Sequence, residues 1–367
     1  MLGIGRFVFT PILPLMMEDL ALSKSVAGLI ASFNFAGYLA GALIASADLG
    51  FNPRRRWLLA SLALSALTTA AMGFASSSIV FFVLRFLGGV ASAFVMVLGS
   101  TMVLNGLSHA GRPRLATLHF AGVGVGITVS AVAVSVLTAL GSGWRTLWTA
   151  SGLIAFACLA AVAVLIPNPQ RDAPPSPNPS SGTSAGFNKL LVAYGLFGFG
   201  YVITSTFLVA IVRSSHQARD FEPFVWIAVG LSAAPSVLFW DACARRIGTS
   251  KAYAAACCVL AVGVVASVLW QSPAGMLLAA VFLGGTFMGL TALGLLESRA
   301  RARSDPRRAL ALMVAAFGFG QILGPAFAGA AFDATGSFLL PSAAAACALA
   351  VAAFLVLPRN SGTSATA

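Results

Sequence analysis

Two arginines stand within stretches of sequence that are otherwise apolar. Arg6 and Arg85 are surrounded by glycine, aliphatic and aromatic residues, whereas the ten acidic residues lie at the ends of such stretches or between them. An arginine at the centre of a membrane-spanning helix costs about 2.5–3.5 kcal/mol on insertion scales, so it is expected to have a partner. A planar guanidinium group binds a carboxylate through two hydrogen bonds. Two guanidinium groups without a fixed counter-charge therefore favour binding of an anion.

A structural role is also open for both arginines. A long basic side chain can extend along a helix so that its charge reaches the membrane interface, and Arg85 lies only about two turns from the end of its stretch. Arg6 could instead pack against backbone carbonyl groups. The sequence is compatible both with these structural roles and with anion binding by the two arginines.

Uncharged polar side chains recur near the arginines at helical spacing. Asn34 and Tyr38 are four positions apart and so share a helix face, and the same spacing relates Thr10 to Arg6 and Ser205 to Tyr201. Hydrogen bonding between helices would explain each residue alone, but as a set they predict the wall of a cavity. The candidate substrate-binding residues are Arg6, Thr10, Asn34, Tyr38, Arg85, Tyr201, Ser205, Thr286 and Gln321.

Four residues are candidates for proton coupling. His119 lies inside an apolar stretch, and an imidazole changes charge near pH 6.5. Glu18, Asp19 and Asp333 lie at the ends of stretches, where they could titrate as a gate opens. An ordinary hydrogen-bonding role remains the alternative for His119.

The elements that must hold these residues are membrane-spanning helices. Of the 367 residues, 59% are hydrophobic and 9% are charged, whereas a soluble domain carries roughly a quarter of its residues as charged side chains. A spanning helix needs about 20 apolar residues, and twelve such stretches are predicted. They are Leu2–Met17, Val26–Ala47, Trp57–Ala75, Ile79–Leu104, Leu115–Leu140, Trp144–Ile166, Phe187–Val212, Phe224–Ala244, Ala252–Trp270, Ala274–Leu296, Ala309–Phe332 and Phe338–Leu357.

The basic residues indicate the orientation of these helices. Most of the 22 lysines and arginines fall in alternate connections, such as those at 54–56 and 299–308. Because cytoplasmic loops carry the excess of basic residues, both termini are predicted to lie in the cytoplasm of a bacterial inner membrane. The Pro/Ser-rich segment 167–186 is predicted to be a flexible cytoplasmic linker, and 358–367 a disordered tail.

The two sides of the linker resemble each other. Gly3-Ile4-Gly5 is matched by Gly198-Phe199-Gly200, and Phe86-Leu87-Gly88-Gly89 by Phe282-Leu283-Gly284-Gly285, at offsets of about 195 residues. We therefore predict an all-α membrane protein with two parallel six-helix bundles, at residues 1–166 and 187–357. Parallel repeats of this kind place a substrate site at their interface, near the middle of the bilayer.

Several motifs resemble those of the major facilitator superfamily of transporters. Arg85, Gly89 and Ala93 resemble its R-x-x-x-G-x-x-x-A element, and Gly320, Gly324, Pro325 and Gly329 resemble its G-x-x-x-G-P element, although here that pattern stands in the eleventh span. Asp48 with Arg54 and Arg55, and Asp241 with Arg245 and Arg246, resemble degenerate copies of the cytoplasmic D-R-x-G-R-R element. The resemblance implies a twelve-helix fold and a gating role for these two loops.

The chain is more narrowly similar to the YbfB/YjiJ-type bacterial branch of that superfamily. The similarity is carried by Gly3-Ile4-Gly5-Arg6-Phe7 with Thr10-Pro11, by the glycines at 122, 124 and 126, and by Gly143-Trp144-Arg145. In the repeat Gly3 matches Gly198, which has about ten more residues of span before it. We therefore expect that the first helix lacks its cytoplasmic half, and that the natural start lies upstream or the chain has been shortened.

The expected function is secondary active transport of a small solute by alternating access, with an organic anion as the favoured substrate and coupling to an ion or by exchange. Efflux of amphipathic drugs is the alternative within transport, and a non-transporting membrane receptor or scaffold is the alternative outside it. No enzyme activity, cofactor, metal or nucleic acid is expected. The expected partners are the substrate, a coupling ion or counter-solute and the lipid bilayer, and the protein is expected to be a monomer.

Overall fold

The computed structural model describes residues 2–47, 54–112, 115–166, 185–301 and 306–357. Within these ranges the chain is almost entirely helical and has no β-strand, which confirms the predicted all-α membrane fold. Asp48, most of the predicted linker and the tail at 358–367 lie outside the described residues. The helices are α1 (Leu2–Phe7), α2 (Phe9–Asp19), α3 (Lys24–Ser46), α4 (Arg54–Ala71), α5 (Ser78–His109), α6 (Ala116–Ala139), α7 (Trp144–Leu165), α8 (Ala185–Ser214), α9 (Glu222–Ile247), α10 (Thr249–Leu269), α11 (Pro273–Arg301), α12 (Pro306–Thr335) and α13 (Leu339–Val356).

Eleven helices of the described chain are each long and apolar enough to cross a membrane. The first predicted span is formed instead by α1 and α2, which are interrupted at Val8. A proline has no backbone N–H, and its ring clashes with the carbonyl group four residues earlier. Pro11 acts in this way on Phe7, where α1 ends. The interruption therefore follows from the sequence, although the hydropathy pattern alone did not predict it.

Following the repeat predicted from the sequence, we call α1–α7 the first half and α8–α13 the second half. Within the first, α5 packs against α3 and α4, and within the second, α8 packs against α12 and α13. The halves meet mainly through α3 against α12 and α6 against α9, with α2 against α8 between them. With α1 and α2 counted as one span, consecutive spans run in opposite directions, so their ends form two sides. We call the side that carries the arginine-rich connections the basic side, and the other the opposite side.

Glycines allow the halves to approach closely. A Cβ atom at Gly124 of α6 would stand 2.7 Å from the Cα of Ala234 and 2.8 Å from the carbonyl oxygen of Gly230, both on α9. Gly28 of α3 faces the carbonyl of Pro325 on α12 in the same way. In a membrane, where helices do not associate by the hydrophobic effect, such small residues permit the backbone contacts that hold helices together.

Candidate functional site

Arg6 lies at the interface between the halves and is 8% exposed. Its guanidinium carbon stands 4.1 Å from the ring centroid of Tyr38 and 5.0 Å from that of Phe35. A ring face attracts a cation but leaves the N–H groups at the edge of the guanidinium without an acceptor. In the described structure Nε and Nη2 of Arg6 are buried without a hydrogen-bond partner. Arg6 is thus a desolvated cation whose donors remain available.

Arg85 is 5% exposed and has a different environment. Its Nη1 and Nη2 donate long hydrogen bonds to the carbonyls of Gly5 (3.4 Å) and Arg6 (3.5 Å). These carbonyls lie just before the interruption that Pro11 causes, so Arg85 satisfies backbone acceptors at the kink. Its guanidinium also lies 4.7 Å from the centroid of Phe9. Arg85 therefore holds the segment that carries Arg6.

The two arginines are close enough to repel each other electrostatically. The four ion pairs described for the chain are Arg213–Glu18, Arg213–Glu222, Arg245–Asp241 and Arg301–Glu297, so none of them neutralises Arg6 or Arg85. Asn34 contributes in another way, by donating from Nδ2 to the carbonyl of Arg85 at 2.9 Å. Its Oδ1 is buried without a partner. The centre of the described chain thus carries excess positive charge.

The second half presents a polar pair opposite Arg6. Gln321, which is fully buried, donates from Nε2 to the hydroxyl of Tyr201 at 2.5 Å. The ring of Tyr201 lies nearly parallel to those of Phe287 and Phe317, with both centroid distances 5.8 Å. This stacking fixes the position of the hydroxyl. Tyr201 is within electrostatic range of Arg6, and Phe7 contacts Phe287 across the halves at 5.7 Å.

The remaining candidate substrate-binding residues are buried, and their hydroxyl groups donate hydrogen bonds to backbone carbonyls. The hydroxyl of Thr10 donates to the backbone carbonyl of Ser205 at 2.7 Å, which joins α2 to α8 across the halves. The hydroxyl of Ser205 donates to Val202 within its own helix. Thr286 likewise donates to the carbonyl of Phe282 at 2.6 Å. The structure therefore brings Arg6, Tyr38, Tyr201 and Gln321 together, while Thr10, Ser205 and Thr286 satisfy backbone acceptors.

Sequence reasoning missed the aromatic residues of this centre. Phe35, Phe287 and Phe317 contact Arg6 or Tyr201 directly. The 27 phenylalanines of the sequence occur on all faces of the spans, so no local pattern distinguishes these three. The available signal was the position relative to two predicted site residues: Phe287 directly follows Thr286, and Phe317 stands four residues before Gln321.

On the opposite side an ion-pair triad joins the halves. Arg213 of α8 donates from Nε and Nη2 to the two carboxylate oxygens of Glu18, both at 2.7 Å, and from Nη1 to Glu222 at 3.1 Å. Glu18 belongs to the first half, whereas Glu222 belongs to the same half as Arg213. Of these three, only Glu18 was a sequence candidate, because Arg213 and Glu222 lie in the connection between the predicted spans Phe187–Val212 and Phe224–Ala244. The triad therefore joins the two halves on the opposite side, and Glu222 pairs with Arg213 within the second half.

Asp333 and Asp19 add further contacts on this side. The carboxylate of Asp333 on α12 accepts from the backbone N–H of Lys24 (3.1 Å) and of Ser25 (2.9 Å). It therefore caps the N-terminus of α3 from the other half, where a negative charge is favourable. Asp19 accepts from the indole N–H of Trp144 at 2.7 Å within the first half. Asp333, like Glu18, thus joins the two halves.

His119 hydrogen-bonds the hydroxyl of Ser100 at 3.0 Å, within the first half. In the same half Arg55 donates to the carbonyls of Ala163 (2.6 Å) and Ile166 (2.9 Å) at the end of α7. These contacts give His119 and Arg55 structural partners. Whether His119 carries protons stays a prediction.

The two predicted gating loops are described in part. Asp241 and Arg245 form an ion pair one turn apart on α9, and Arg246 is exposed beside them. Arg54 begins α4, while Asp48 lies outside the described residues. Their gating role stays a prediction.

A buried cluster on the basic side was not predicted. Glu297 of α11 is 8% exposed and accepts from Arg301 (2.8 Å) and from the hydroxyl of Ser250 (2.7 Å). Arg301 also donates to the carbonyls of Gly186 (2.9 Å) and Val356 (3.2 Å). The cluster joins the ends of α8, α10, α11 and α13. It holds the second half together and lies far from the central arginines along α11.

Nearly the whole chain matches a known family of membrane transporters. The family described as "Uncharacterised MFS-type transporter YbfB" matches residues 1–357. The chain is 27% identical over 213 residues to a gallate transporter of Pseudomonas putida, which covers 58% of this chain and 46% of that protein. It is 29% identical over 157 residues to a benzoate transport protein of Acinetobacter baylyi (strain ATCC 33305 / BD413 / ADP1), covering 41% of this chain and 33% of that protein. The chain therefore spans less than half the length of these curated relatives.

The fold was also compared with solved structures. A mutant of the nucleoside transporter NupG superposes with a TM-score of 0.71 over 97% of both chains, at 14% sequence identity. At this identity the similarity concerns the fold alone.

Proposed function

The chain belongs to the family of MFS-type transporters described as YbfB, and from this premise we propose that it carries a small organic anion across a bacterial inner membrane. The observation that carries the proposal is the state of Arg6, which is buried at the interface of the halves with two N–H-bearing nitrogens unpaired. Leaving such donors unsatisfied costs about 1–3 kcal/mol or more for a charged group. A carboxylate bound between the halves would remove this cost.

Aromatic carboxylates are the substrates we propose first. Phe7, Phe35 and Tyr38 surround the guanidinium group of Arg6, and Phe287 with Phe317 lines the facing half. A flat ring bearing a carboxylate would stack on these side chains while its charge meets Arg6. The relatives named as gallate and benzoate transporters carry anions of this class, which supports the proposal.

We propose that transport proceeds by alternating access around this centre. The contacts of Arg213 with Glu18 and of Asp333 with the start of α3 close the opposite side. Rocking of one half against the other would break these contacts and expose the centre to that side. With the basic side in the cytoplasm, the described state is closed to the periplasm. The protein would act as a monomer.

We also propose that substrate transport is coupled to movement of a proton or of a second anion. Glu18 and Asp333 are the preferred proton-coupling residues, because protonation of either carboxylate would weaken a contact between the halves. Asp19 and His119, whose described partners lie within the first half, rank after them. Efflux of cationic drugs is disfavoured, since the described centre presents two cations and no carboxylate.

Uptake by purified protein in proteoliposomes tests the anion site. We expect Arg6→Gln to abolish uptake of radiolabelled benzoate and 4-hydroxybenzoate, because the neutral glutamine side chain cannot pair with the negative charge of a buried carboxylate. Arg299→Gln makes the same change at an exposed position at the end of α11 and should leave uptake intact. Gel filtration and melting temperature of both variants would show that they remain folded. Uptake that persists in folded Arg6→Gln protein would refute the assignment of the anion site.

A further inference from the structure

Gln321 leaves one polar atom of the centre without a partner. Its Nε2 donates to the hydroxyl of Tyr201, while its Oε1 is buried and accepts no hydrogen bond in the described structure. The side chain is fully buried in α12. A buried amide oxygen without a donor is unfavourable. Because it lies beside Tyr201, which is within electrostatic range of Arg6, it points to a ligand that supplies the donor.

Tyr201 has a complementary capacity. Its oxygen accepts from Gln321, which leaves its own O–H proton free to be donated. Because the ring is stacked on Phe287 and Phe317, the hydroxyl oxygen is held beside the amide of Gln321. The Gln321–Tyr201 pair therefore offers one acceptor and one donor, side by side and held in place.

A hydroxyl group satisfies such a pair, because it donates and accepts at once. An ether oxygen only accepts, and an ammonium group would be repelled by Arg6 and Arg85. We infer that the substrates of this protein are hydroxylated aromatic carboxylates, with the carboxylate on Arg6 and the ring hydroxyl on Gln321 and Tyr201. This inference rests on the proposed function and narrows it.

The arrangement also explains how a substrate acts on both halves. Arg6 belongs to the first half, and Gln321 with Tyr201 belongs to the second. A hydroxylated acid would form polar contacts with both and so favour the state in which they close around it. An acid without the hydroxyl would contact the second half through apolar groups only, and we expect it to bind more weakly and to be carried more slowly.

Binding to the detergent-purified full chain, measured by calorimetry, tests the inference. The probes are benzoate, 3- and 4-hydroxybenzoate, and 4-methoxybenzoate, which keeps the oxygen but cannot donate. We expect the tighter of the two hydroxybenzoates to bind at least about tenfold more tightly than benzoate, and 4-methoxybenzoate to bind no more tightly than benzoate.

Variants of Gln321 and Tyr201 test whether these two side chains cause the preference for hydroxybenzoates over benzoate. Gln321→Met keeps the length of the side chain and removes its polar atoms, so the preference for hydroxybenzoate over benzoate should fall below about threefold. Gln271→Met makes the same change at an exposed glutamine beyond α10 and should keep the full preference. Tyr201→Phe retains the stacked ring, loses the hydroxyl, and provides a second variant should Gln321→Met not fold.

The outcomes separate this inference from the proposed function. Equal binding of benzoate and hydroxybenzoates that still requires Arg6 would overturn the hydroxyl requirement and leave the organic-anion site intact. A preference that persists in both Gln321→Met and Tyr201→Phe would overturn it as well. Binding of none of the acids, or binding unaffected by Arg6→Gln, would refute the anion site and the inference together.

Discussion

Arg6 and Arg213 are both arginines at the interface of the halves, but their neighbours differ. Arg6 is surrounded by aromatic rings and has unpaired donors, whereas Arg213 contacts two carboxylates, one from each half. The first arrangement suits a site that a mobile anion fills. The second suits a contact that is broken and remade, because Glu222 still neutralises Arg213 after Glu18 has moved away.

At the scale of single residues, the triad predicts opposite effects for its two acids. Glu18→Gln removes a contact between the halves and should favour opening of the opposite side. Because the side chain of Glu18 is 57% exposed, the pair contributes at most about 1 kcal/mol, so the open population should rise by up to about fivefold. Glu222→Gln leaves Arg213 dependent on Glu18 and should disfavour opening.

Thiol alkylation can measure this opening. Leu15 lines a cleft between α2, α6, α8 and α9 near the triad, so a cysteine placed there in a cysteine-free background reports access from the opposite side. Its alkylation rate should rise in Glu18→Gln and fall in Glu222→Gln. Asp220→Asn, an exposed acid on the same side, serves as the control. Rates that change in the same direction in both variants would argue against the triad as a gate.

At the scale of helices, the contact of α6 with α9 depends on glycine. Gly124 faces the backbone of α9, whereas a Cβ at Gly122, two positions earlier, would meet no atom within 4 Å. Alanine in place of glycine normally stabilises a helix by about 1 kcal/mol. We expect Gly122→Ala to keep or raise the melting temperature. Gly124→Ala should lower it by several degrees and reduce uptake at least about tenfold, since backbone atoms cannot move aside easily.

Two measurements test the predictions for Gly122→Ala and Gly124→Ala. Tryptophan fluorescence follows thermal unfolding of each variant, and uptake is assayed in parallel. The two variants have the same composition and lie on the same helix, so a difference between them reports the contact with α9 alone. Equal stability and equal uptake in both would show that α6 and α9 are not in close backbone contact.

The sequence predicted the helices better than their interruptions. Hydropathy predicts spans reliably because each must satisfy its own backbone hydrogen bonds in lipid, and eleven of the twelve appear as long apolar helices of the described chain. Pro11 causes the break at Val8, and Arg85, which lies 79 residues after Arg6, reaches the carbonyl of Arg6 beside that break. Such a contact is non-local, and no pattern within the first span indicates it.

At the scale of the whole molecule, charged residues led the sequence analysis to the candidate site, and apolar residues did not. Arg6 and Arg85 were predicted because a charge at membrane depth is costly and therefore conspicuous. Phe35 and Phe287 were missed, since in a membrane apolar side chains face lipid, neighbouring helices and cavities alike. The pairing of α3 with α12 was also missed, because it depends on how two distant helices cross. The repeat nevertheless predicted a site at the interface of the halves, and Arg6, Tyr201 and Gln321 come together there.

Alternating access requires that the two halves separate on the opposite side in every transport cycle. Replacing Glu18 and Arg213 by cysteines and joining them with a bis-methanethiosulfonate reagent, in a cysteine-free background, should hold that side closed. We expect uptake to stop, while 4-hydroxybenzoate still binds in detergent, because alternating access would leave the centre open to the basic side when the opposite side is held closed. Reduction of the cross-link should restore the uptake of the uncross-linked double variant. Each single-cysteine variant treated with the same reagent should keep its activity, since one thiol cannot join the halves. Uptake that continues with the cross-link intact would mean that substrate crosses without separation of the halves at Glu18 and Arg213, and alternating access about this interface would have to be abandoned.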